Sequence, residues 1–417
     1  MNRRRFLSSG LAAASGLALP IGRAGWFARA SETDGKRLIV IFLRGAVDGL
    51  NVLVPYGDDN YYNARSTIAV AAPGREHGAI DLDGHFGLHP ALAALLPHWR
   101  AGHLAFVHAS GSPDPTRSHF DAQLYMENGT PGRGVSADGW MNRLLGTLPG
   151  PQSASRAIAF GPQIPRILIG SQPVANLASG NDVGKPLAID RPGVSQAFAS
   201  LYGGNDAMSK AFQDSVQSRQ QMQADAVSMA AADSKEQMAA DNGAPLPNGF
   251  PADAAKLARM MRQDAKIRLA FFALGGWDTH IRQGNGEGQL ANRLRPLGDG
   301  LAALASGLGP AFDDTLIVVM SEFGRTVHEN GNGGTDHGHG NVLWLLGGQI
   351  AGGRVYGQWP GLRRDQLYQE RDLAVTTDFR RVLGPTVTRH LTLPDQTIAT
   401  LFPDIPAGGV YSSLLRA

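Results

Sequence analysis

Leu38-Ile39-Val40-Ile41-Phe42-Leu43-Arg44-Gly45-Ala46-Val47-Asp48-Gly49-Leu50-Asn51 is an unbroken apolar run that ends abruptly in a polar, glycine-bearing loop. Six apolar residues without polar alternation read as a strand buried on both faces, the signature of a parallel sheet. Comparable runs occupy 104–109, 267–274, 316–320 and 342–346, and helical patterns lie between them, for example at 92–99 and 290–308. Strands alternating with helices predict an α/β fold built on a doubly wound, mainly parallel sheet flanked by helices.

The residues that carry chemistry cluster at the ends of these runs. Arg44 and Asp48 come directly after the first run, and Arg117-Ser118-His119-Phe120-Asp121 lies beyond the second. Trp277-Asp278-Thr279-His280 comes after the third and Ser321-Glu322-Phe323-Gly324-Arg325 after the fourth, while Asp336-His337-Gly338-His339 precedes the fifth. Ligands of open α/β sheets bind outside the carboxyl ends of the strands, so these segments predict one joint site. Each piece also has a plain structural reading: Ser118 as a helix N-cap, Asp48 as a turn or helix cap, Asp336 as a turn residue. His85 and His89 fall outside the pattern and read as structural.

Acids and imidazoles suit zinc, manganese, magnesium or calcium, as one ion or as a pair that clamps an in-line displacement. A serine at a helix N-terminus favours a bound oxyanion, and Arg44, Arg117 and Arg325 offer bidentate guanidinium contacts to it. The chemistry indicated is hydrolysis or transfer of a phosphate or sulfate ester. The chain has no cysteine, which excludes disulfides, thiolate nucleophiles and Cys-type zinc sites.

The N-terminus reads as a targeting segment. Arg3-Arg4-Arg5-Phe6-Leu7, an apolar stretch to Pro20 and Ala28-Arg29-Ala30 form a twin-arginine signal with cleavage after Ala30. Such a signal implies a periplasmic or secreted protein, with the twin-arginine machinery as an export partner. The apolar stretch is short for a spanning helix, which needs about 20 residues, and no later stretch is long and apolar enough. Removing the five signal arginines moves the formal charge from +2 to −3, which leaves a nucleic-acid partner without support. Residues 31–417 are expected as a single α/β domain, with 205–250, rich in Gln, Ala, Met and Asp, as a polar helical insertion or cap.

These motifs resemble the domain-of-unknown-function 1501 family, whose members are twin-arginine-exported proteins assigned to the alkaline phosphatase-like (sulfatase-like) superfamily. The resemblance runs from Arg44–Asn51 through Gly87-Leu88-His89-Pro90, Arg117–Gln123, Asp138-Gly139-Trp140, Gly276–His280, Ser321–Thr326 and Asp336-His337-Gly338 to Thr377-Asp378-Phe379-Arg380 and Phe402-Pro403. It implies a two-metal site with Ser118 as nucleophile and Asp48, Asp278, His280, Glu322 and His337 as ligands. Two departures stand out. Phe323 occupies the position of an expected histidine, for which Asp336 or His339 would have to substitute, and Asp278-x-His280 is unusually close-spaced. They leave open one metal, an altered pair or an inactive site. The absence of cysteine also excludes formylglycine chemistry. The reading is an exported metal-dependent hydrolase of an anionic ester, an envelope glycan or polymer included. Its alternatives are a non-catalytic envelope binding or assembly protein and a transferase acting on an envelope polymer.

Overall fold

A computed structural model describes residues 35–133, 138–179, 204, 209, 239–405 and 414–416. The expected signal and its cleavage position, and most of the 205–250 segment, lie outside these residues.

The central sheet contains β1 (Arg37–Leu43), β2 (Leu104–Gly111), β3 (Ala157–Phe160), β4 (Ala175–Leu177), β5 (Leu269–Leu274), β6 (Thr315–Ser321), β7 (Asn341–Leu346), β8 (Arg354–Tyr356) and β9 (Thr377–Asp378). Their order is β8-β2-β7-β6-β1-β5-β3-β4, with β9 alongside β2. β1 lies at the centre, parallel to β5 on one side and β6 on the other. Its run is unbroken because alternate residues enter two cores. Ile39, Ile41 and Leu43 face one, Leu38, Val40 and Phe42 the other, and all six are fully buried. Burial of such side chains stabilises by about 1.5–3 kcal/mol each.

Helices cover both faces, as the doubly wound expectation requires. The main ones are α1 (His119–Asn128), α2 (Trp140–Thr147), α3 (Phe250–Gln263), α4 (Gln289–Leu308) and α5 (Phe379–His390). Leu257 and Met261 of α3 and Leu294, Leu297 and Leu301 of α4 pack with Ile39 and Ile41. Leu144 of α2 and Val382 and Val387 of α5 pack with Leu38 and Val40.

All five apolar runs are strands, and the mainly parallel sheet is borne out, with one reversal. β7 is antiparallel to both β6 and β2. After β6 the chain loops through 322–340 at the carboxyl edge and re-enters the sheet next door, which antiparallel neighbours allow without a crossover. The loop before β7 therefore sits at the same edge as the loops after β1, β2, β5 and β6. Among the described residues no helix is long and apolar enough to cross a membrane.

Candidate metal centre

Glycines let the edge loops cross in contact. Gly45 has φ +109°, and a Cβ there would lie 2.7 Å from the backbone nitrogen of Asp278. Gly324 lies against Gly340, where any Cβ would collide with the Gly340 carbonyl oxygen. The Gly324 and Gly338 strands of the loop are tied by Gly338 N–H to Gly324 O at 2.8 Å and Gly324 N–H to His339 O at 2.9 Å. This close pairing brings His337 opposite Arg325.

Around these crossings three imidazoles converge on one carboxylate oxygen. Nε2 of His280, His337 and His119 lie 3.0, 3.3 and 3.6 Å from Asp278 Oδ1. His337 Nε2 is also 3.0 Å from both His119 Nε2 and His280 Nε2. The ligating atoms of His119, Asp278 and His337 all fall within 4.8 Å of one another. The His280 and His337 side chains keep 29% and 23% of their surface exposed, so the cluster opens to solvent on one side.

Each ring's other nitrogen is anchored. His119 Nδ1 meets Glu322 Oε1 at 2.8 Å, His337 Nδ1 donates to the Arg117 carbonyl at 2.9 Å, and His280 Nδ1 meets Asp336 Oδ1 at 3.2 Å. These partners are acceptors, so each Nδ1 carries a proton and each Nε2 is the nitrogen turned toward the same point. Nitrogens this close to one another and to an anionic oxygen need positive charge between them, as protons or as a metal ion. Donor separations of this size match ligands sharing an ion at bond lengths of about 2.0–2.2 Å, and Nδ1 anchoring is the usual outer support of metal-binding histidines. His119, Asp278 and His337 fit a divalent cation, with His280 beside Asp278 and His337.

The carboxylates draw positive charge to the cluster. Burial lowers the His119 pKa, but Asp278 and Glu322 outweigh it and raise the value to about 9. His280 is raised chiefly by Asp278. Burial works to raise the Asp278 pKa, yet the three histidines and Arg325 hold it well below the usual carboxylate range. The ring of Phe323 lies 4.8 Å from His119 and 5.3 Å from His337, filling the space beside both imidazoles.

Of the expected ligands, Asp278, His280 and His337 come together. Asp336 and Glu322 instead support ligands from behind, as acceptors for His280 and His119. Asp48 is fully buried in a bidentate pair with Arg65 at 2.6 and 3.1 Å and takes a further hydrogen bond from Gln283 at 2.6 Å. His339 turns to the Tyr368 ring at 4.6 Å rather than to the cluster. The arginines are engaged as well. Arg325 holds Asp278 at 2.6 Å, Arg44 holds Glu127 at 2.6 Å and Gln123 at 3.2 Å, and Arg117 holds Asp372 at 2.6 Å. Ser118 is the N-cap of α1, half-buried, its Oγ accepting from the Asp121 N–H at 3.4 Å. His89 caps the turn at Pro90 and hydrogen-bonds Asn285 O at 2.8 Å, the structural role expected of it.

The residue missed in the sequence is His119. Its ring lies 4.8 Å from that of Phe323 and reaches the cluster from α1, whereas neither Asp336 nor His339 does so. A signal was present: His119, Gln123 and Glu127 recur every four residues, one helical face. All three are buried, with Gln123 Nε2 on Glu322 at 3.0 Å and Glu127 on Arg44.

Several solved structures share similarity with the chain at low identity. One is a protein in the alkaline phosphatase superfamily from Vibrio parahaemolyticus, with 11% identity and TM-score 0.38, covering 78% of this chain. The chain spans 62% of that protein's length. Another is the C-terminal periplasmic domain of EcEptC from Escherichia coli, with 12% identity, TM-score 0.34 and coverage of 76% and 74%. A third is the lipoteichoic acid synthase LtaP from Listeria monocytogenes, with 11% identity, TM-score 0.34 and coverage of 86% and 72%. Likenesses this slight say nothing about substrate. No curated protein matches the sequence. The model of a family described as protein of unknown function (DUF1501) matches residues 35–402, and the chain belongs to that family.

Proposed function

We propose that this protein is an exported metal-dependent hydrolase of a phosphate or sulfate ester. The observation that carries the reading is the convergence of His119, His280 and His337 Nε2 on Asp278 Oδ1, with every Nδ1 anchored from behind. These four residues would hold the cation, zinc being the metal their nitrogen-rich donor set suits best. When bound, the cation supplies Lewis-acid stabilisation of charge developing on an ester oxygen.

The chain's own residues do the rest. Arg325 fixes Asp278, and Glu322 fixes His119. Ser118 adjoins His119 at the start of α1, where the helix N–H groups favour an oxyanion, and its hydroxyl is the proposed nucleophile. Metal-dependent release of p-nitrophenol from its phosphate or sulfate ester, lost in Ser118→Ala, tests the reading.

One observation favours a second reading. Arg44, Arg117 and Arg325 are all held in ion pairs, so none is free to receive a transferred oxyanion. A metal-binding envelope protein without turnover has no need of one. Metal retained without hydrolysis of either ester would select this alternative. The proposed export is tested separately: the mass of protein recovered from the periplasm should start at Ser31.

A further inference from the structure

We propose that the centre is built for a single divalent cation, and that the Arg65 guanidinium supplies internally the positive charge that a second would provide. The inference rests on the proposed metal site and deepens it. The ligand positions that resemblance implies beyond the cluster, Asp48, Glu322 and the one held by Phe323, are each closed to a second ion in a different way.

Asp48 has no exposed surface, and its two oxygens are taken by Arg65 Nη1 at 2.6 Å, Arg65 Nη2 at 3.1 Å and Gln283 Nε2 at 2.6 Å. Arg65 is equally buried and is itself held by the carbonyls of Val327 and Thr326, both at 2.9 Å, and by Asn51 Oδ1 at 2.7 Å. A cation could reach Asp48 only by expelling this enclosed guanidinium. Glu322 already accepts three hydrogen bonds, from Gly45 N at 2.8 Å, His119 Nδ1 at 2.8 Å and Gln123 Nε2 at 3.0 Å, and its other oxygen lies 2.9 Å from Ser321 Oγ. The third position carries a phenyl ring, which offers no ligand atom.

Asp278 and Asp48, each in an arginine ion pair, are joined through one buried network. Arg325 links Asp278 to Thr335 Oγ1 at 3.1 Å, Thr335 donates to Gln283 Oε1 at 3.1 Å, and Gln283 donates to Asp48 at 2.6 Å. Asp278, itself buried, differs from Asp48 in having the Nε2 atoms of three imidazoles around its Oδ1, two of them on partly exposed rings. That difference makes one carboxylate a ligand and the other a structural anion.

Elemental mass spectrometry on the full chain, resupplied with zinc chloride and desalted, decides the count. The wild type should retain about one equivalent, and the Asp48→Asn/Arg65→Gln double variant, which removes both buried charges together, the same. His337→Ala should retain almost none. Two equivalents in the wild type, or loss of zinc in a folded double variant, would overturn the single-cation inference while leaving a metal site in place. No zinc in the wild type would overturn the metal-site reading and this inference with it. Should the double variant fail to fold, calorimetric titration of metal-free wild type with zinc still decides: one saturable site supports the inference, two refute it.

Discussion

Nδ1 of His119 and Oε1 of Glu322 meet at 2.8 Å in a buried pair that spans 203 residues of sequence. Burial disfavours the charged Glu322 carboxylate, yet its bonds from His119 and Gln123 hold its pKa below the ordinary value. The pair fixes the ring's tautomer and direction, leaving Nε2 toward Asp278. Glu322→Gln keeps an acceptor but removes the charge. It should weaken zinc binding by about 10–100-fold, the usual effect of losing an outer partner. His119→Ala should weaken it further, and both are read by competition with a chromogenic chelator.

Ser118 separates chemistry from scaffold. Ser118→Ala removes a hydroxyl that caps α1, costing about 1 kcal/mol in urea unfolding, and leaves the four proposed ligand side chains themselves in place. Turnover should vanish while metal content is unchanged. Full activity in the alanine variant would exclude Ser118 as the nucleophile.

Loop glycines give a paired test of how the site is assembled. A Cβ at Gly324 would strike the Gly340 carbonyl, whereas a Cβ at Gly331, in the same connection, meets nothing within 4 Å. Gly324→Ala should lower the melting temperature markedly and loosen metal binding, because the strand pairing that carries His337 must separate. Gly331→Ala should stay within about 0.5 kcal/mol of the wild type. Equal effects of the two substitutions would contradict the crossing-loop explanation.

Three histidines outside the centre govern the acid limb of stability. Burial lowers His89 and His390 from 6.5 to about 4 and His108 to about 3. Above pH 6.5 both folded and unfolded chains leave them largely neutral, so their contribution is fully present. As pH falls from 6.5 toward 4 the unfolded chain binds protons that the folded chain refuses, and stability drops by up to about 1.4 kcal/mol per unit per histidine. The urea midpoint should therefore fall through that window, less steeply in His390→Gln, whose amide can still donate to the Arg37 carbonyl that His390 Nε2 meets at 3.0 Å.

The sheet was legible because its long strands are buried on both faces: Leu38 to Leu43 needs no context to be read. Short strands such as Ala175–Leu177 and Arg354–Tyr356 carry too few apolar residues to show a period. The direction of β7 was not legible either, since an apolar run looks alike in both senses. At the site, Asp278, His280 and His337 stood out by their places beside strands. Asp48 and Glu322 share that placement and differ in their partners, Arg65, which no strand end marks, and His119, which lies beyond the second run but reads as the first turn of a helix. Proximity to a strand end locates a residue at the edge; only the packed partners say whether it is a ligand or a support.

The most direct test of the single-cation centre is an anomalous-scattering map from zinc-soaked crystals of the mature protein. One strong peak is expected, about 2.0–2.2 Å from Nε2 of His119, His280 and His337 and from Asp278. Absence of a peak there, or a peak bound by Asp48 in place of Arg65, would contradict it.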